Sequence, residues 1–115
     1  MTKLVTDEQH AQLLANGRQS RAREDFDPAP VVKLFTPDGW ATWLLTEIDP
    51  DDPDHAFGLC DLGQGFPELG YVSLNELVTV RGRLGLPIER DRSFKADKPI
   101  GSYAREACIA GRIVT

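Results

Sequence analysis

Apolar residues recur at alternate positions along the middle of the chain, in segments that glycine and proline separate. The segment 31–35 (VVKLF) is rich in strand formers, and 40–48 (WATWLLTEI) also has the composition of a strand. Between them, TPDG at 36–39 combines a proline that presets one dihedral angle with a glycine that is free to adopt positive φ. The pattern predicts a β-hairpin over 31–48.

The second strand of this hairpin carries large apolar residues at both sets of alternate positions. One face of the sheet is expected to hold Trp40, Thr42, Leu44, Thr46 and Ile48. The other face is expected to hold Ala41, Trp43, Leu45 and Glu47. Because both faces then need apolar cover, we expect this strand in the centre of the sheet.

Acids and glycines dominate the stretch after the hairpin. DPDDPDH (49–55) predicts an acidic loop that proline interrupts, and AFGLCDL (56–62) predicts a third strand. The glycines of GQGFPELG (63–70) predict a turn, which we call the glycine-rich turn. YVSL (71–74) then predicts a short extended piece.

Helix signals stand at both ends of the chain. Thr6 and Gln9 form a capping-box pattern, and Gly17 supplies the left-handed residue that commonly ends a helix. A C-terminal helix is expected to follow Ser102 and to end at Gly111.

The segments between these elements are less regular. Residues 18–30 predict a linker, because arginines and acids precede the prolines of DPAP. Ser73 and Glu76 form a second capping pattern, so a helical turn before a strand near 78–81 stays open as an alternative. We therefore predict one α+β domain over 1–115, with an antiparallel sheet of three to four strands and an N-terminal and a C-terminal helix.

Composition excludes several classes of protein. The hydrophobic fraction is 41% and the charged fraction 27%, which is typical of a globular chain. No apolar run approaches the roughly 18 residues of a membrane helix, and MTKLVTDEQH lacks the apolar core of a signal peptide. The two cysteines do not form a disulfide framework. We expect a cytoplasmic protein with reduced thiols and no membrane contact.

Charge is divided unevenly along the chain. The net charge of −5 hides +2 over residues 1–23, −11 over 24–80 and +4 over 81–115. The opposite charges either neutralise one another when the chain compacts or form separate faces. Neutralisation is the favoured interpretation, because segments of opposite charge attract in a compact chain.

Most metal and cofactor chemistries lack their residues. His10 and His55 have no cysteine pair beside them for zinc. A calcium loop starting at Asp49 or at Asp52 lacks its glycine and its glutamate. GLCDLGQG holds a Gly-x-Gly without the lysine of a phosphate-binding loop, and Cys60 has the usual setting of a small buried residue. We expect no metal and no cofactor.

The glycine-rich turn and the later segment PIERD (87–91) hold the candidate binding residues. They are Asp61, Gln64, Phe66, Glu68, Glu89, Arg90 and Asp91. If the two segments meet, their carboxylates could hold Mg²⁺ for phosphodiester chemistry. Equally, Arg90 could clamp Asp61 or Glu68 with its forked donors. The clamp is favoured, because it requires only the charged loops of one domain.

A second candidate surface lies in the basic C-terminal third. Its residues are Arg81, Arg83, Arg92 and Lys95, interleaved with aromatic residues. Such side chains can neutralise phosphates while an aromatic ring stacks on a base. The isoelectric point of about 4.9 is far from that of usual nucleic-acid binders, so direct nucleic-acid binding is not favoured. Conversely, the −11 segment could imitate DNA.

Four segments carry a resemblance to a known family. They are PVVKLF (30–35), TWLLTE (42–47), FGLCDLGQGFPELGYVSL (57–74) and GLPIERD (85–91). In them the chain resembles a bacterial domain family of unknown function found on plasmids, integrative conjugative elements and phages. The family has no assigned activity, so the resemblance transfers no catalytic residue. It implies an accessory role in mobile genetic elements.

These observations favour a non-catalytic module that binds a protein or a nucleoprotein through the glycine-rich turn and PIERD. One alternative is a metal-dependent enzyme that acts on nucleic acid through a carboxylate cluster. The other is an acidic DNA mimic that inhibits a DNA-binding protein, as in anti-restriction. The sequence leaves the oligomeric state open.

Overall fold

A five-stranded antiparallel sheet organises the chain. The structure is a computed structural model that describes residues 4–115. In chain order its elements are α1 (Asp7–Ala22), β1 (Val32–Phe35), β2 (Thr42–Asp49), β3 (Asp52–Asp61), β4 (Glu68–Ser73), α2 (Leu74–Thr79), β5 (Glu89–Arg90) and α3 (Ile100–Ala110).

The strands follow the order β4-β3-β2-β1-β5, and every neighbouring pair is antiparallel. The α+β class, the hairpin of β1 with β2 and the central place of β2 are confirmed. The sheet has five strands rather than three or four, because PIERD adds the two-residue strand β5. Two residues are too few to show an alternating pattern.

Strand β2 departs from strict alternation at Thr46. Leu45 pairs with Gly58 and Glu47 pairs with Phe57, so Thr46 is an extra residue without its own partner on β3. This is a β-bulge, which bends the strand and shifts its register by one residue.

The bulge changes the face on which the end of β2 packs. Ile48 joins Leu45 in one core cluster, whereas alternation predicted it beside Leu44, which packs in the other cluster. The prediction of faces is therefore confirmed for Leu44 and Leu45 and wrong for Ile48. The reason is that one extra residue moves every later side chain to the opposite face.

Helix α1 begins as predicted. Thr6 Oγ1 accepts a hydrogen bond from the Gln9 amide at 3.0 Å, and Gln9 Oε1 accepts one from the Thr6 amide at 2.9 Å. The predicted end at Gly17 is wrong, because the helix continues to Ala22. Residues 18–22 of the predicted linker 18–30 are therefore helical.

Asn16 and Gly17 dock α1 on the bulge instead of ending the helix. Asn16 Nδ2 donates to the carbonyl oxygen of Thr46 at 2.8 Å. Gly17 permits this approach, because a Cβ atom at that position would overlap the carbonyl oxygen of Ile48. The two residues that suggest a helix end in the sequence thus serve tertiary packing.

Two strands begin earlier than predicted. Strand β3 begins at Asp52, so the second half of the predicted acidic loop is strand, and β4 begins at Glu68, so residues 68–70 of the predicted turn are strand. Ser73 Oγ accepts from the Glu76 amide at 3.2 Å and caps α2, which confirms the capping pattern there. The strand considered near 78–81 is only an isolated bridge between Arg81 and Pro87.

The helices cover both faces of the sheet. One face of the sheet, which we call the α1 face, packs against α1 and α2. Its core residues include Val32, Leu34, Trp43, Leu45, Ile48 and Ala56 with Leu13 and Leu77. The other face, which we call the α3 face, packs against α3, and its core includes Leu44 and Leu59 with Ile100, Tyr103, Ala107 and Ile113. Helix α3 ends at Gly111 with φ 76°, as predicted. No helix within residues 4–115 combines the length and the apolar character needed to cross a membrane.

Candidate functional site

Three loops lie at one end of the sheet, which we call the loop end. They are the β1–β2 turn (36–41), the β3–β4 turn (62–67) and the segment before β5 (82–88). Both turns lie there because β1 and β3 run in the same direction in an antiparallel sheet. The third segment joins them because Glu89, at the start of β5, pairs with Phe35 at the end of β1.

Direct contacts connect the three loops. Asp38 Oδ2 accepts hydrogen bonds from the Leu84 amide at 2.6 Å and the Leu86 amide at 3.4 Å. Gly63 has φ 78°, and a Cβ atom there would lie 2.6 Å from Cβ of Trp40. The loops therefore form one surface, fixed by the Asp38 carboxylate and by the close approach of Gly63 to Trp40.

Large apolar side chains are exposed on all three loops. The exposed fraction is 87% for Trp40, 79% for Phe66 and 80% for Leu84. Leu62 and Leu86 are exposed as well, so the loop end holds five of the nine exposed large apolar side chains found within residues 4–115. Such a concentration is typical of an interaction surface.

A cleft of about 570 Å³ opens beside this surface on the α3 face. Phe35 and Trp40 contribute aromatic walls, and Lys33 and Arg112 contribute positive charge. Lys33 Nζ lies 2.7 Å from Thr115 Oγ1 and therefore has a partner already. The cleft has the volume of an ordinary ligand or side-chain pocket.

Asp61 holds the loop end together. It is 3% exposed, its Oδ1 accepts from the Gly63 amide at 2.8 Å, and its Oδ2 accepts from the Ile113 amide at 2.9 Å. Both carboxylate oxygens therefore bind backbone groups. This candidate residue fixes the β3–β4 turn and the segment after α3.

Arg90 does not clamp Asp61 or Glu68, and that prediction is wrong. Arg90 pairs with Leu34 and shares the α1 face with it, whereas Asp61 pairs with Thr42 on the α3 face. Directly opposed residues in an antiparallel pair project to the same side of the sheet. Arg90 Nη1 donates instead to the carbonyl oxygen of Leu4 at 3.2 Å. It anchors the segment before α1.

The candidate carboxylates do not converge. Glu68 starts β4 and Glu89 starts β5, which are the two outer strands of the sheet. Four strand spacings separate them, or roughly 19 Å. Asp91 accepts from the Ser93 amide at 2.9 Å and lies 3.5 Å from Lys33 Nζ. In the part of the chain that the structure describes, no three His, Cys, Asp or Glu side chains are placed to hold a metal ion.

Gln64 and Phe66 are exposed on the β3–β4 turn, where a partner could reach them. Their role as binding residues stays a prediction. Trp40, Leu84 and Leu86 share this surface but were not among the predicted site residues. The signal that could have found them is the placing of large apolar residues next to turn glycines, in DGW and GRLGL.

The basic residues of the C-terminal third do different things. Arg81 Nη1 donates to the carbonyl oxygens of Val78 and Val80, at 2.9 Å each, and so closes the end of α2. The other three basic residues are Arg83, Arg92 and Lys95. They are exposed and form no ion pair with any residue of 4–115. Their role in nucleic-acid binding stays a prediction.

The opposite end of the sheet, which we call the acidic end, carries the β2–β3 turn and the start of β3. Its aspartates are Asp49, Asp51, Asp52 and Asp54. Arg21 of α1 forms ion pairs with Asp49 at 2.6 Å and with Asp51 at 2.7 Å. The N-terminal and middle stretches therefore neutralise each other in part at this end. Lys3, another base of the N-terminal stretch, lies outside the described residues.

Asp54 has a structural role at the acidic end. Its Oδ2 accepts from Ser73 Oγ at 2.5 Å and its Oδ1 accepts from the Asn75 amide at 2.8 Å. The bond from Ser73, followed by the bond from Asn75, lowers the pKa of this carboxyl below its ordinary value. The carboxylate thereby ties β3 to the start of α2.

Cys60 is not placed for nucleophilic catalysis. Burial raises the pKa of its thiol to about 11, so the thiolate is scarce at neutral pH. Cys60 packs beside the core of the α1 face. His55 pairs with Asp52 at 3.0 Å and lies an odd number of residues away along β3, which places it on the opposite face.

Comparison with known proteins shows a domain family of unknown function. No curated protein and no solved structure matches the chain. One family model, described as a protein of unknown function (DUF2958), matches residues 4–114. The match covers nearly all of the chain, so it includes the sheet, the three helices and the loop end. The chain therefore belongs to the DUF2958 family of proteins of unknown function.

Proposed function

We propose that this protein is a non-catalytic binding module that docks on a partner protein through the loop end. The observation that carries the proposal is the joint exposure of Trp40, Phe66 and Leu84 on three loops that are distant in sequence. Apolar area removed from water contributes roughly 25 cal/mol per Å². Aromatic side chains commonly supply most of the energy of an interface.

The loops are held in place before any partner arrives. Asp38 fastens 82–86 to the β1–β2 turn, and Asp61 fastens the β3–β4 turn to Ile113. A surface that is already ordered loses little conformational entropy when it binds. This order favours binding by apolar anchors on a rigid frame.

The charges around the loop end indicate the chemistry of the partner. Arg83 and Arg112 are exposed there, and so are Glu68 and Glu89 at the starts of β4 and β5. A complementary surface would be apolar at its centre and would carry charges of both signs at its rim. We place this partner among the proteins or nucleoproteins of a mobile genetic element, the setting that the family resemblance implies.

The two alternatives have less support. A metal-dependent enzyme with a carboxylate cluster requires converging carboxylates, but Glu68 and Glu89 lie on opposite edges of the sheet. A DNA mimic requires a free acidic face, but Arg21 pairs with two of the aspartates at the acidic end. Neither arrangement uses the apolar side chains of the loop end.

The test is capture of partners from host lysate by tagged protein, with and without nuclease. The wild type is expected to retain a protein that survives nuclease treatment. The double variant Trp40→Ala with Phe66→Ala is expected to lose it. The control variant Arg21→Ala with Asp51→Ala changes two exposed residues at the acidic end and is expected to retain it.

The outcomes separate the hypotheses. Retention by the Trp40 and Phe66 variant, or loss by the acidic-end control alone, contradicts docking through the loop end. If nuclease treatment removes all of the bound protein, the direct partner is a nucleic acid and not a protein. Metal-dependent hydrolysis that Glu89→Ala abolishes in a folded protein would support the enzyme alternative instead.

A further inference from the structure

The outer edge of β4 is a second surface, separate from the exposed side chains of the loop end. Strand β4 stands first in the strand order, and no strand of residues 4–115 pairs with its outer side. An edge strand presents unpaired backbone N–H and C=O groups to which another strand can bind.

Apart from Glu68 at its start, this edge lacks the devices that usually prevent pairing. The segment 69–73 (LGYVS) contains no charged residue and no proline. Its pairing with β3 runs from Ser73 opposite His55 to Glu68 opposite Cys60 without a bulge. The other edge, β5, has only two residues. Natural sheets protect an edge by charge, proline, a bulge or shortness, and β4 has none of these along 69–73.

Apolar side chains line the edge. Leu69 and Tyr71 are exposed, and the ring of Tyr71 packs 5.1 Å from the ring of Phe57 on β3. Leu69 and Tyr71 lie two residues apart on one strand, so they share one face of the sheet. A strand that paired with β4 would cover them in part.

We propose that β4 pairs in antiparallel fashion with β4 of a second copy of this chain, about a two-fold axis at Gly70. In this register Gly70 faces Gly70, Leu69 faces Tyr71 and Glu68 faces Val72. The apolar pair of Leu69 with Tyr71 occurs twice by symmetry, as an isologous interface requires. The two sheets then become one continuous sheet of ten strands.

The sequence of the edge favours a second copy as the occupant, because 69–71 (LGY) is complementary to itself about Gly70. The net charge of −5 on each chain opposes association, and this repulsion is weakest along 69–73, where charge is absent. In the Gly70 register the two Glu68 side chains do not face each other. Apart from its chain neighbours, no atom of residues 4–115 lies within 4 Å of the position of a Cβ on Gly70, so the sheet face has room for a side chain at this position.

A cysteine at Gly70 tests the register. In a chain with Cys60→Ala and Cys108→Ser, Gly70→Cys is expected to form a disulfide-linked dimer under oxidised glutathione. Directly paired residues of antiparallel strands have Cα atoms about 4.5–5.5 Å apart, which a disulfide can span. The matched control is Asn75→Cys, an exposed position on α2. Gly70→Cys is expected to link about tenfold faster or more, because paired strands raise the effective concentration.

Sedimentation tests the pairing itself. The wild type is expected to be a dimer at tens of micromolar, and salt is expected to strengthen the dimer by screening its negative charge. Leu69→Lys with Tyr71→Lys is expected to be a monomer with an unchanged circular dichroism spectrum. A monomeric wild type in high salt, or equal linking rates for the cysteines at positions 70 and 75, overturns the proposal. The Trp40→Ala and Phe66→Ala variant should remain a dimer, so this proposal and docking through the loop end fail separately.

Discussion

The turns at the two ends of the sheet use their aspartates in different ways. At the acidic end, Asp49 and Asp51 of the β2–β3 turn form ion pairs with Arg21 at the surface, and Asp54 beyond the turn binds the Asn75 amide. At the loop end, Asp38 and Asp61 hold backbone amides, while Trp40 lies in solvent. Asp38 and Asp61 thus stabilise the structure, and the large apolar side chains of the loop end are left free for contact.

This contrast shows that residue type alone does not assign a role in this protein. A carboxylate that binds two backbone amides is costly to remove, because the amides then lose their partners. An exposed ion pair contributes little, since water solvates both charges. The following substitutions test the contrast, from the largest expected change in the free energy of unfolding to the smallest.

Gly17→Ala should have the largest effect. A Cβ atom would overlap the carbonyl oxygen of Ile48, so α1 must move away from β2 near the acidic end. We expect a loss of about 3 kcal/mol in the free energy of unfolding, the upper part of the range for overpacking. Urea denaturation measures it. The control Gly70→Ala, in open space, should change little, and a stabilisation of Gly17→Ala by helix propensity would contradict the packing argument.

Asp61→Ala should come second and distinguishes the two ends directly. Loss of the carboxylate leaves the amides of Gly63 and Ile113 without a partner, so we expect a loss of about 2–3 kcal/mol. The same substitution at Asp51 of the acidic end should cost less than about 1 kcal/mol, because the side chain is 78% exposed. Urea denaturation of both variants gives the comparison, and equal losses would remove the contrast between the ends.

The stability of the protein should depend on pH through the carboxyl of Asp54 at the acidic end. Its pKa is lowered in the folded state, so its stabilisation is complete above the ordinary value of 3.8 and is lost as the pH falls through the lowered folded value. The melting temperature of Asp54→Asn should lie below that of the wild type at pH 6. The difference should shrink as the pH falls below 3.8. Ser73→Ala removes the main cause of the shift and also the cap of α2, so its difference should shrink with falling pH to a constant remainder. A difference for Asp54→Asn that stays constant with pH would disagree with this account.

Trp40→Ala should have the smallest effect on stability. The side chain is 87% exposed, so its removal should change the free energy of unfolding by no more than about 0.5 kcal/mol. Thermal denaturation measures the change. A larger loss in the free energy of unfolding would mean that Trp40 supports the fold. Its exposure would then be no sign that it is left free for a partner.

Local sequence patterns predicted the elements that depend on local interactions. The capping box of Thr6, the cap at Ser73 and the end of α3 at Gly111 were all confirmed, because each involves residues within one or two turns. The end of α1 was predicted wrongly at Gly17, because this glycine serves close packing against Ile48 on a distant strand. The face of Ile48 was missed for a similar reason, because a bulge has no signature in alternation.

The candidate site depended more heavily on distant contacts. The glycine-rich turn does lie with the β1–β2 turn at one end of the sheet, and Asp61 and Asp91 both line its cleft. The predicted clamp by Arg90 was wrong because the pairing of Arg90 with Leu34 places its side chain on the α1 face. The sequence of a two-residue strand does not reveal that pairing. The exposure of Trp40 depends on how the three loops of the loop end lie together. The sequence of any one loop does not specify that arrangement.

The bulge at Thr46 has a consequence for how the chain tolerates insertions and deletions. Deleting Thr46 would restore regular pairing along β2 but would turn Ile48 toward the α3 face and leave Asn16 without the carbonyl that it now binds. Lengthening the β2–β3 turn by one residue would leave both contacts in place. Length changes in related chains should therefore accumulate at residues 49–52 and avoid the three residues before them, although both stretches lie at the same end of one hairpin.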